Sequence, residues 1–247
     1  MALRAVIFDF DGLILDTETP SYTSWQETYT GLGATLDRTL WTANIGTTGW
    51  DAARHLEELV GHPIDQGALR AARLARHHEL IATEAVRPGV LAWLDEAKAL
   101  GLAVGLASSS SEPWVGPHLE RLGLRERFAV LATGDRVPRR KPDPAVYRLA
   151  LDTLDIDPAD AIAVEDSANG IAAAKAAGLR AVAVPNAMTV ELDFSRADLV
   201  LGSLTEAGIA EIAERLGFQR ANRSGSGPVA GSPAFGAGQA EPSQRPR

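Results

Sequence analysis

Nearly continuous runs of apolar residues alternate along most of the chain with segments in which apolar residues recur at helical spacing. Apolar runs of this kind are typical of strands that are buried on both faces of a parallel sheet. They predict five strands and a sixth candidate, at residues 3–10, 103–107, 129–133, 161–164, 180–184 and, for the candidate, 199–201.

The segments between these runs predict helices, which we place at residues 89–100, 112–122, 144–154, 168–177 and 205–216. A glycine stands at the end of four of them, at Gly101, Gly123, Gly178 and Gly217. Glycine is favoured there because the residue that ends a helix often adopts a left-handed conformation. Strands that alternate with helices predict an α/β fold with a Rossmann-like, doubly wound parallel sheet.

Two segments depart from this alternation. Residues 17–86 carry helical patterns without a convincing strand, so we expect an inserted all-helical cap domain there. Such an insertion would lie over the carboxyl edge of the sheet, where ligands bind in this class of fold. Residues 1–16 and 87–218 would then form the α/β core. Residues 219–247 are rich in Gly, Ser, Pro and Ala without periodicity, which predicts a disordered tail.

The composition of the 247-residue chain narrows the kinds of partner that we expect. The formal net charge of −8 argues against nucleic acid and against an anionic membrane as partners. The absence of cysteine excludes disulfides and thiolate metal sites. The first residues do not form a signal peptide, and no apolar run approaches the roughly 18 residues of a membrane span. We therefore expect a cytoplasmic protein that is a monomer or a weak dimer.

Two acids, Asp9 and Asp11, directly follow the apolar residues "VIF", and Gly12 then turns the chain. Residues two apart on an extended strand point the same way, so the two carboxylates would repel each other unless something compensates their charge. A divalent cation fits, and Mg²⁺ needs only one or two carboxylates from a protein. A single aspartate at this position could merely cap a turn, but the D-x-D-G pattern favours a metal.

Polar residues also follow other predicted strands. Ser108 ends the second strand, Glu165 and Asp166 follow the fourth, and Lys141 lies in a loop before a helix. Each has an ordinary alternative, because serines and aspartates often cap helices and most lysines are solvated at the surface. Together, at the single edge where parallel strands end, they would place acids for a cation beside groups for a dianion. This combination predicts phosphoryl transfer.

Four segments of the sequence resemble, in order and spacing, the four motifs of the haloacid dehalogenase (HAD) superfamily: "DFDGLILDTE", "ASSS", "RKPDP" and "VEDSANGIAAAKAAG". The likeness is greatest to its β-phosphoglucomutase-like branch, which has a helical cap, and covers roughly residues 3–216. The resemblance implies that Asp9 is a nucleophile that forms an aspartyl-phosphate. It implies that Asp11 is the general acid and then the general base.

The same resemblance implies two sets of ligands. The phosphoryl group would be bound by two serines and a lysine, namely Ser108, Ser109 and Lys141. A Mg²⁺ ion would be bound by Asp9 and Asp166 through their carboxylates, by Asp11 through its backbone carbonyl, and by Glu165 through a water. The implied substrate is a small phosphorylated metabolite.

The expected activity is Mg²⁺-dependent hydrolysis of a phosphate monoester of the sugar phosphate or phosphoglycolate type. Dehalogenation is disfavoured because true dehalogenases of the superfamily lack the acid at Asp11. The branch's phosphomutases carry a histidine shortly after the first motif and an arginine in the first cap loop. Here the first stretch reads "TETPSYTSW", and the cap loop has Gly49 and Trp50, with Arg54 further on. A phosphomutase is therefore the alternative, and a catalytically silent phospho-ligand-binding protein is a weaker one.

We expect residues of the cap to determine which substrate binds. Thr47 and Thr48 lie in the loop that we expect to face the active site. A predicted cap helix carries Arg70, Arg73 and His77 on one face, at i, i+3 and i+7. This face would bind hydroxyls or an acidic group of the substrate, or it is a solvated face balanced by nearby glutamates. The candidate substrate residues of the cap are Thr47, Thr48, Arg73 and His77.

Overall fold

The computed structural model describes residues 1–45 and 50–219, and its centre is a six-stranded parallel sheet. The strands are β1 (Ala5–Phe8), β2 (Ala103–Ala107), β3 (Val130–Ala132), β4 (Ala161–Glu165), β5 (Arg180–Ala183) and β6 (Leu199–Val200). Their order in the sheet is β3-β2-β1-β4-β5-β6. This order is that of a doubly wound α/β fold, so the predicted Rossmann-like fold class is confirmed.

The central strand β1 is the point at which the strand order reverses. Phe8 lies opposite Leu106 of β2 on one side and opposite Val164 of β4 on the other. The chain adds β2 and β3 on the first side and β4 to β6 on the second. Ligands bind at such a switch point, in the crevice outside the carboxyl ends of the strands. The topology therefore predicts a ligand-binding site among the residues that follow β1 and β4.

Nine α-helices surround or cover the sheet in the described part of the chain. Four follow β1: α1 (Glu18–Gly31), α2 (Arg38–Ala43), α3 (Ala52–Val60) and α4 (Gln66–Ala82). Five alternate with the later strands: α5 (Val90–Ala99), α6 (Glu112–Arg121), α7 (Ala145–Leu154), α8 (Ala168–Ala176) and α9 (Ile209–Arg215). Two short 3-10 helices lie at Arg125–Arg127 and Pro158–Asp160. None of these helices is long and apolar enough to cross a membrane.

Alternate residues of the strands build two hydrophobic cores on opposite faces of the sheet. Val6 and Phe8 face α5, α6 and α9, where Trp93 is the largest buried side chain. Ala5 and Ile7 face α7 and α8. Both faces are covered, which explains why the strands are apolar almost throughout.

Helices α1 to α3 have a third core of their own, whose buried members are Trp25, Tyr29, Leu36, Trp41, Ala52, Ala53 and Leu56. The chain leaves the sheet and returns to it side by side, since Leu15 and Val86 form an antiparallel bridge. Arg87 also donates its backbone N–H to the carbonyl of Ile14 at 2.9 Å. These contacts support a cap over residues 17–86, whose boundaries stay a prediction.

Two elements differ most from the sequence-based expectation. Strand β1 ends at Phe8 rather than at residue 10, because the carbonyl of Phe10 already accepts a turn hydrogen bond from Ile14 N at 2.9 Å. Helix α9 begins at Ile209 rather than at residue 205. The carboxylate of Glu96 accepts the N–H groups of residues 209 and 210 at 2.8 and 2.9 Å, which satisfies the otherwise unpaired start of the helix.

The end of the chain is only partly described. Gln219, the first residue of the predicted tail, donates its backbone N–H to the carbonyl of Met1 at 2.9 Å and so pairs with the core. The rest of the predicted tail, residues 220–247, lies outside the described residues.

Candidate active site

A cavity of about 410 Å³ opens at the carboxyl edge of β1, β2 and β4. Seven of the sequence-predicted site residues line it: Asp9, Asp11, His77, Ser108, Ser109, Lys141 and Asp166. Glu165 lies beside them and is fully buried at the end of β4. Residues from five separate segments therefore meet at the place where the strand order reverses.

Lys141 occupies the centre of this site. Its Nζ atom lies 2.5 Å from Asp9 Oδ1, 2.6 Å from Glu165 Oε1 and 2.7 Å from the carbonyl oxygen of Ala107. Three acceptors match the three hydrogens of an ammonium group. Burial alone would lower the pKa of Lys141, but the two carboxylates outweigh burial and raise that pKa above its usual value. Lys141 is thus a fixed, buried cation and not the solvated surface lysine of the alternative explanation.

Three buried acids, Asp9, Glu165 and Asp166, have carboxylate oxygens that lie within 4.8 Å of one another. Burial and the repulsion between the acids raise the pKa values of Asp9 and Asp166 well above their usual range. Lys141 offers one positive charge against three carboxylates, so two negative charges remain when all three are ionised. The group therefore fits a divalent cation in charge and in ligand type, because such ions prefer hard oxygen ligands.

Asn186, which the sequence analysis missed, holds Asp166 in place. Its Nδ2 atom donates to Asp166 Oδ2 at 2.7 Å, and its side chain is buried. It follows β5, so its place after a strand is the same sequence signal that Asp9, Ser108 and Asp166 carry. Asp166 does not cap α8, because Ser167 takes that role by accepting the N–H of Gly170 at 3.1 Å.

Gly12 brings the first motif against Asp166 so closely that no side chain fits. Its φ is +75°, and a Cβ atom there would lie 2.1 Å from Asp166 Oδ2 and 2.6 Å from Asn186 Nδ2. We expect Gly12→Ala to lower the free energy of unfolding by roughly 1–3 kcal/mol through backbone strain and also to displace Asp166. The measurements are the denaturant midpoint and the activity at saturating Mg²⁺.

Gly33→Ala is the matched control for this prediction. Gly33 has nearly the same φ, +74°, but a Cβ atom there would meet no described atom within 4 Å. Gly33→Ala should lower the free energy of unfolding but leave the activity per folded molecule unchanged. Equal loss of activity in both variants would show that the contact between Gly12 and Asp166 has no importance for the site.

Three side chains donate hydrogen bonds to the carboxylate of Asp11. Trp114 Nε1 lies 2.8 Å from Oδ1, while Ser110 Oγ and Ser108 Oγ lie 2.6 and 3.3 Å from Oδ2. Ser111, the residue at the N-terminus of α6, makes no side-chain capping bond. Two of the serines thus serve the site rather than the helix, contrary to the capping alternative.

Two of these donors were not found from the sequence. Ser110 belongs to the same run of serines as Ser108, so it carried a usable signal. Trp114 carried none, because an indole on a helix is usually part of a hydrophobic core.

Tyr147, which the sequence pattern did not indicate as a site residue, orients Glu165 through a hydrogen bond. The Tyr147 hydroxyl donates to Glu165 Oε1 at 2.6 Å, and Ser167 Oγ lies 3.3 Å from Oε2. Burial and the neighbouring Glu165 raise the pKa of Tyr147 well above its usual value, so its hydroxyl stays a donor. Tyr147 is placed on the buried face of α7, where the sequence pattern indicates only core packing.

Among the cap candidates, His77 reaches the cavity. Its Nε2 atom lies 3.2 Å from the carbonyl oxygen of Thr17, and its ring stacks on Trp114 with centroids 5.6 Å apart. Burial lowers the pKa of His77 to about 4, so the ring is neutral at neutral pH. Thr47 and Thr48 lie outside the described residues.

Arg73 lies in a different place from His77. It lines a second cavity of about 350 Å³, whose wall also includes Trp25, Trp41 and Trp50. Its guanidinium carbon lies 5.2 Å from the centre of the Trp25 ring. The predicted basic face of α4 is thus divided between two cavities, and Arg70 on the same face is paired with Asp51 at 2.6 Å.

Glu18, at the start of α1, lines both cavities and was missed by the sequence analysis. Burial, followed by repulsion from Asp11 and Asp16, raises the pKa of Glu18 to about 7. Its position inside the first motif is the sequence signal that points to it. Glu18 therefore places a carboxyl group between the cavity at the sheet edge and the second cavity that Arg73 lines.

Comparison with known proteins gives a consistent family. The model of the haloacid dehalogenase-like hydrolase family matches residues 6–184. YhcW of Bacillus subtilis (strain 168) is 43% identical over 218 residues, which cover 88% of this chain and 99% of that protein. Hexitol phosphatase B of Escherichia coli (strain K12) is 32% identical over 222 residues, covering 83% of this chain and 94% of that protein.

Solved structures agree with this result. The crystal structure of CbbY from Rhodobacter sphaeroides in complex with phosphate superposes with a TM-score of 0.68 at 35% identity, covering 84% of this chain and 98% of that one. The same coverage holds for a CbbY variant in complex with xylulose-(1,5)bisphosphate. The chain therefore belongs to the haloacid dehalogenase-like hydrolases, and it is an enzyme of their phosphatase class.

Proposed function

We propose that this enzyme hydrolyses small phosphorylated metabolites of the sugar phosphate or phosphoglycolate type, with Mg²⁺ as its cofactor and an aspartyl-phosphate on Asp9 as its intermediate. One observation carries the proposal: a buried ammonium, Lys141, lies 2.5 Å from Asp9 in a site that Asp166 also lines. The name of hexitol phosphatase B and the sugar bisphosphate bound to CbbY support a small phosphorylated sugar as the substrate class.

Asp9 is the proposed nucleophile. One of its carboxylate oxygens attacks phosphorus, the bond from phosphorus to the leaving oxygen breaks, and an acyl-phosphate forms. Lys141 contacts the same carboxylate, favours its ionised form against the effect of burial and orients it, while Ser108 and Ser109 line the wall where the phosphoryl oxygens would lie. Fixed donors and cations of this kind stabilise the charge that spreads over those oxygens.

Asp11 is the proposed general acid and base. In its protonated form it gives its proton to the leaving oxygen as the first bond breaks. In the second half of the reaction its carboxylate takes a proton from water, the water oxygen bonds to phosphorus, and the acyl-phosphate bond breaks to restore Asp9. Asp11 lines the cavity beside Asp9, where it reaches both events.

The Mg²⁺ ion would be held by the carboxylates of Asp9 and Asp166, by the backbone carbonyl of Asp11, and through water by Glu165. When bound, it supplies positive charge that offsets the repulsion between the anionic substrate and the acids. Tyr147 and Asn186 hold the acids in place through hydrogen bonds of 2.6 and 2.7 Å. Precise placement of ligands by such outer contacts is typical of metal sites.

A phosphatase is a better fit than a phosphomutase. A mutase needs a cationic contact for the second phosphate of its bisphosphate intermediate, and the cap loop has Gly49 and Trp50 where such an arginine would be expected. Arg54, the nearest substitute in the sequence, lines a separate cavity with His62 and Glu57. The intact pair of Asp9 and Asp11 in the cavity argues against a silent binding protein.

We expect the enzyme with Mg²⁺ to release phosphate from p-nitrophenyl phosphate and to convert β-glucose 1-phosphate, if it accepts that sugar, into glucose and phosphate. The reason is that water, and not a second sugar hydroxyl, would receive the phosphoryl group. The measurement follows free phosphate and glucose 6-phosphate in parallel, with a trace of the 1,6-bisphosphate present.

Each outcome separates the alternatives. Phosphate release from p-nitrophenyl phosphate without glucose 6-phosphate supports the phosphatase. Glucose 6-phosphate that forms faster than free phosphate would establish the mutase instead. Enzyme that binds phosphate but releases none from p-nitrophenyl phosphate would leave only the silent binding protein.

A further inference from the structure

Trp114 is the one indole in the described part of the chain that donates a hydrogen bond to a proposed catalytic carboxylate. Its Nε1 atom lies 2.8 Å from Asp11 Oδ1. The other oxygen of that carboxylate, Oδ2, accepts from Ser110 at 2.6 Å and from Ser108 at 3.3 Å. The two oxygens of Asp11 thus have different kinds of donor.

The difference matters when a phosphate enters. A serine hydroxyl rotates about its C–O bond and can be redirected to a phosphoryl oxygen, which is the role proposed for Ser108. An indole N–H is fixed in the plane of its ring, and its nitrogen can donate a hydrogen bond but cannot accept one. Trp114 therefore stays bound to Asp11 when the serines turn to the substrate.

The donor-only character of the indole also decides where the proton of Asp11 sits. Oδ1 must remain an acceptor as long as it faces Trp114 Nε1, so a protonated Asp11 carries its hydrogen on Oδ2. Oδ2 lies on the side of Ser108 and Ser110, which is the side where the phosphoryl group would bind.

Neighbouring rings hold the indole in position from both the core and the cap. His118 of α6 meets Trp114 edge-on, with ring centroids 4.7 Å apart and an interplanar angle of 73°. His77 of the cap helix α4 stacks on it at 5.6 Å and 21°. The orientation of the N–H group is therefore set by packing on two sides.

We propose that Trp114 is a positioning residue that orients Asp11, so that Oδ2 delivers its proton to the leaving oxygen. The proposal rests on the proposed role of Asp11 as general acid. In that step the Oδ2–H bond breaks, the leaving oxygen gains the proton as its bond to phosphorus breaks, and Asp11 is left as a carboxylate that Trp114 and the serines stabilise.

The test uses a series of ring-substituted phenyl phosphates, from p-nitrophenyl to p-methoxyphenyl phosphate. p-Nitrophenolate leaves readily without a proton, whereas p-methoxyphenolate depends more on the general acid. We expect Trp114→Phe, which keeps a ring and removes the N–H, to lower kcat/KM about tenfold or more for the poorest leaving group and much less for p-nitrophenyl phosphate. Because kcat/KM reports the step in which the leaving group departs, the plot of log kcat/KM against leaving-group acidity becomes steeper.

Two further variants distinguish a positioning role from packing. His118→Phe changes a ring that touches Trp114 but keeps its stacking on Phe10, so the slope should stay that of the wild type. Replacement of Trp114 with the benzothienyl analogue of tryptophan removes the N–H from a ring of the same shape, and it should steepen the slope as Trp114→Phe does. This analogue keeps the test valid if Trp114→Phe does not fold.

The variant Asp11→Asn shows which of two proposals fails, the general-acid role of Asp11 or the positioning role of Trp114. If Asp11→Asn steepens the slope and the benzothienyl variant leaves it unchanged, the proposal for Trp114 is overturned while the general acid stands. If Asp11→Asn itself keeps the wild-type slope, the general-acid role of Asp11 fails first. In the Asp11→Asn background, loss of the indole N–H should steepen the slope no further, because the two changes act on one interaction.

Discussion

Asp9→Asn will lower turnover by at least about a thousandfold, because an amide cannot form the acyl-phosphate through which the proposed reaction proceeds. The substitution hardly changes the shape of the side chain, so Lys141 Nζ, now 2.5 Å from Asp9 Oδ1, keeps an oxygen to bind. Burial and the nearby Glu165 raise the pKa of Asp9, which means that the folded site disfavours its ionised form. The melting temperature of the variant should therefore equal or exceed that of the wild type.

The measurement pairs phosphate release with thermal unfolding. Asp152→Asn, which makes the same chemical change at an exposed acid of α7, is the matched control and should alter neither quantity. Mass spectrometry of acid-quenched wild-type enzyme during turnover should find one phosphoryl group on the peptide that contains Asp9. Retention of a tenth of the wild-type turnover by Asp9→Asn would rule out the covalent mechanism at this residue.

The part of the site that the sequence predicted is the part that depends on topology. Asp9, Ser108 and Asp166 each follow a strand, and parallel strands that share a sheet end at one edge. Their meeting could be predicted without knowledge of any side-chain contact. Asn186 follows β5 at the same edge, so the same topological argument reaches it.

The residues that the sequence did not reveal depend on distances between side chains of different elements. Tyr147 lies on the apolar face of α7 and becomes a hydrogen-bond donor to Glu165 only because α7 packs against β2 and β3, within reach of the end of β4. Trp114 likewise reaches Asp11 only through the orientation of α6. Helical periodicity identifies which face is buried, but it does not distinguish a core aromatic from one that serves a catalytic acid.

The cap shows a further limit of the pattern. Arg70, Arg73 and His77 share one face of α4 at helical spacing, which suggested a single basic surface. In the fold, Asp51 neutralises the first, the Trp25 ring lies against the second, and Trp114 stacks on the third. Spacing along a helix therefore predicted the face and not the partners that determine what each residue does.

Mg²⁺ should raise the melting temperature of the metal-free enzyme, and EDTA should abolish its activity. Asp9, Glu165 and Asp166 have carboxylate oxygens within 4.8 Å of one another, and Lys141 offsets only one of their charges. An ion that binds only the folded state at about a hundred times its Kd stabilises it by about 2.7 kcal/mol. In a domain of this size that amounts to roughly 5–10 °C.

Asp166→Asn tests whether this increase comes from the proposed site. The variant loses one ligand charge, so its melting temperature should no longer respond to Mg²⁺ at that concentration. Without Mg²⁺ it should be at least as stable as the wild type, because burial and the charge of Asp9 raise the pKa of Asp166 and so oppose its ionised form. Glu120→Gln removes an exposed acid of α6 and should respond to Mg²⁺ as the wild type does. A full Mg²⁺ response in Asp166→Asn, or full activity of the wild type in EDTA, would contradict the assignment of the metal to these acids.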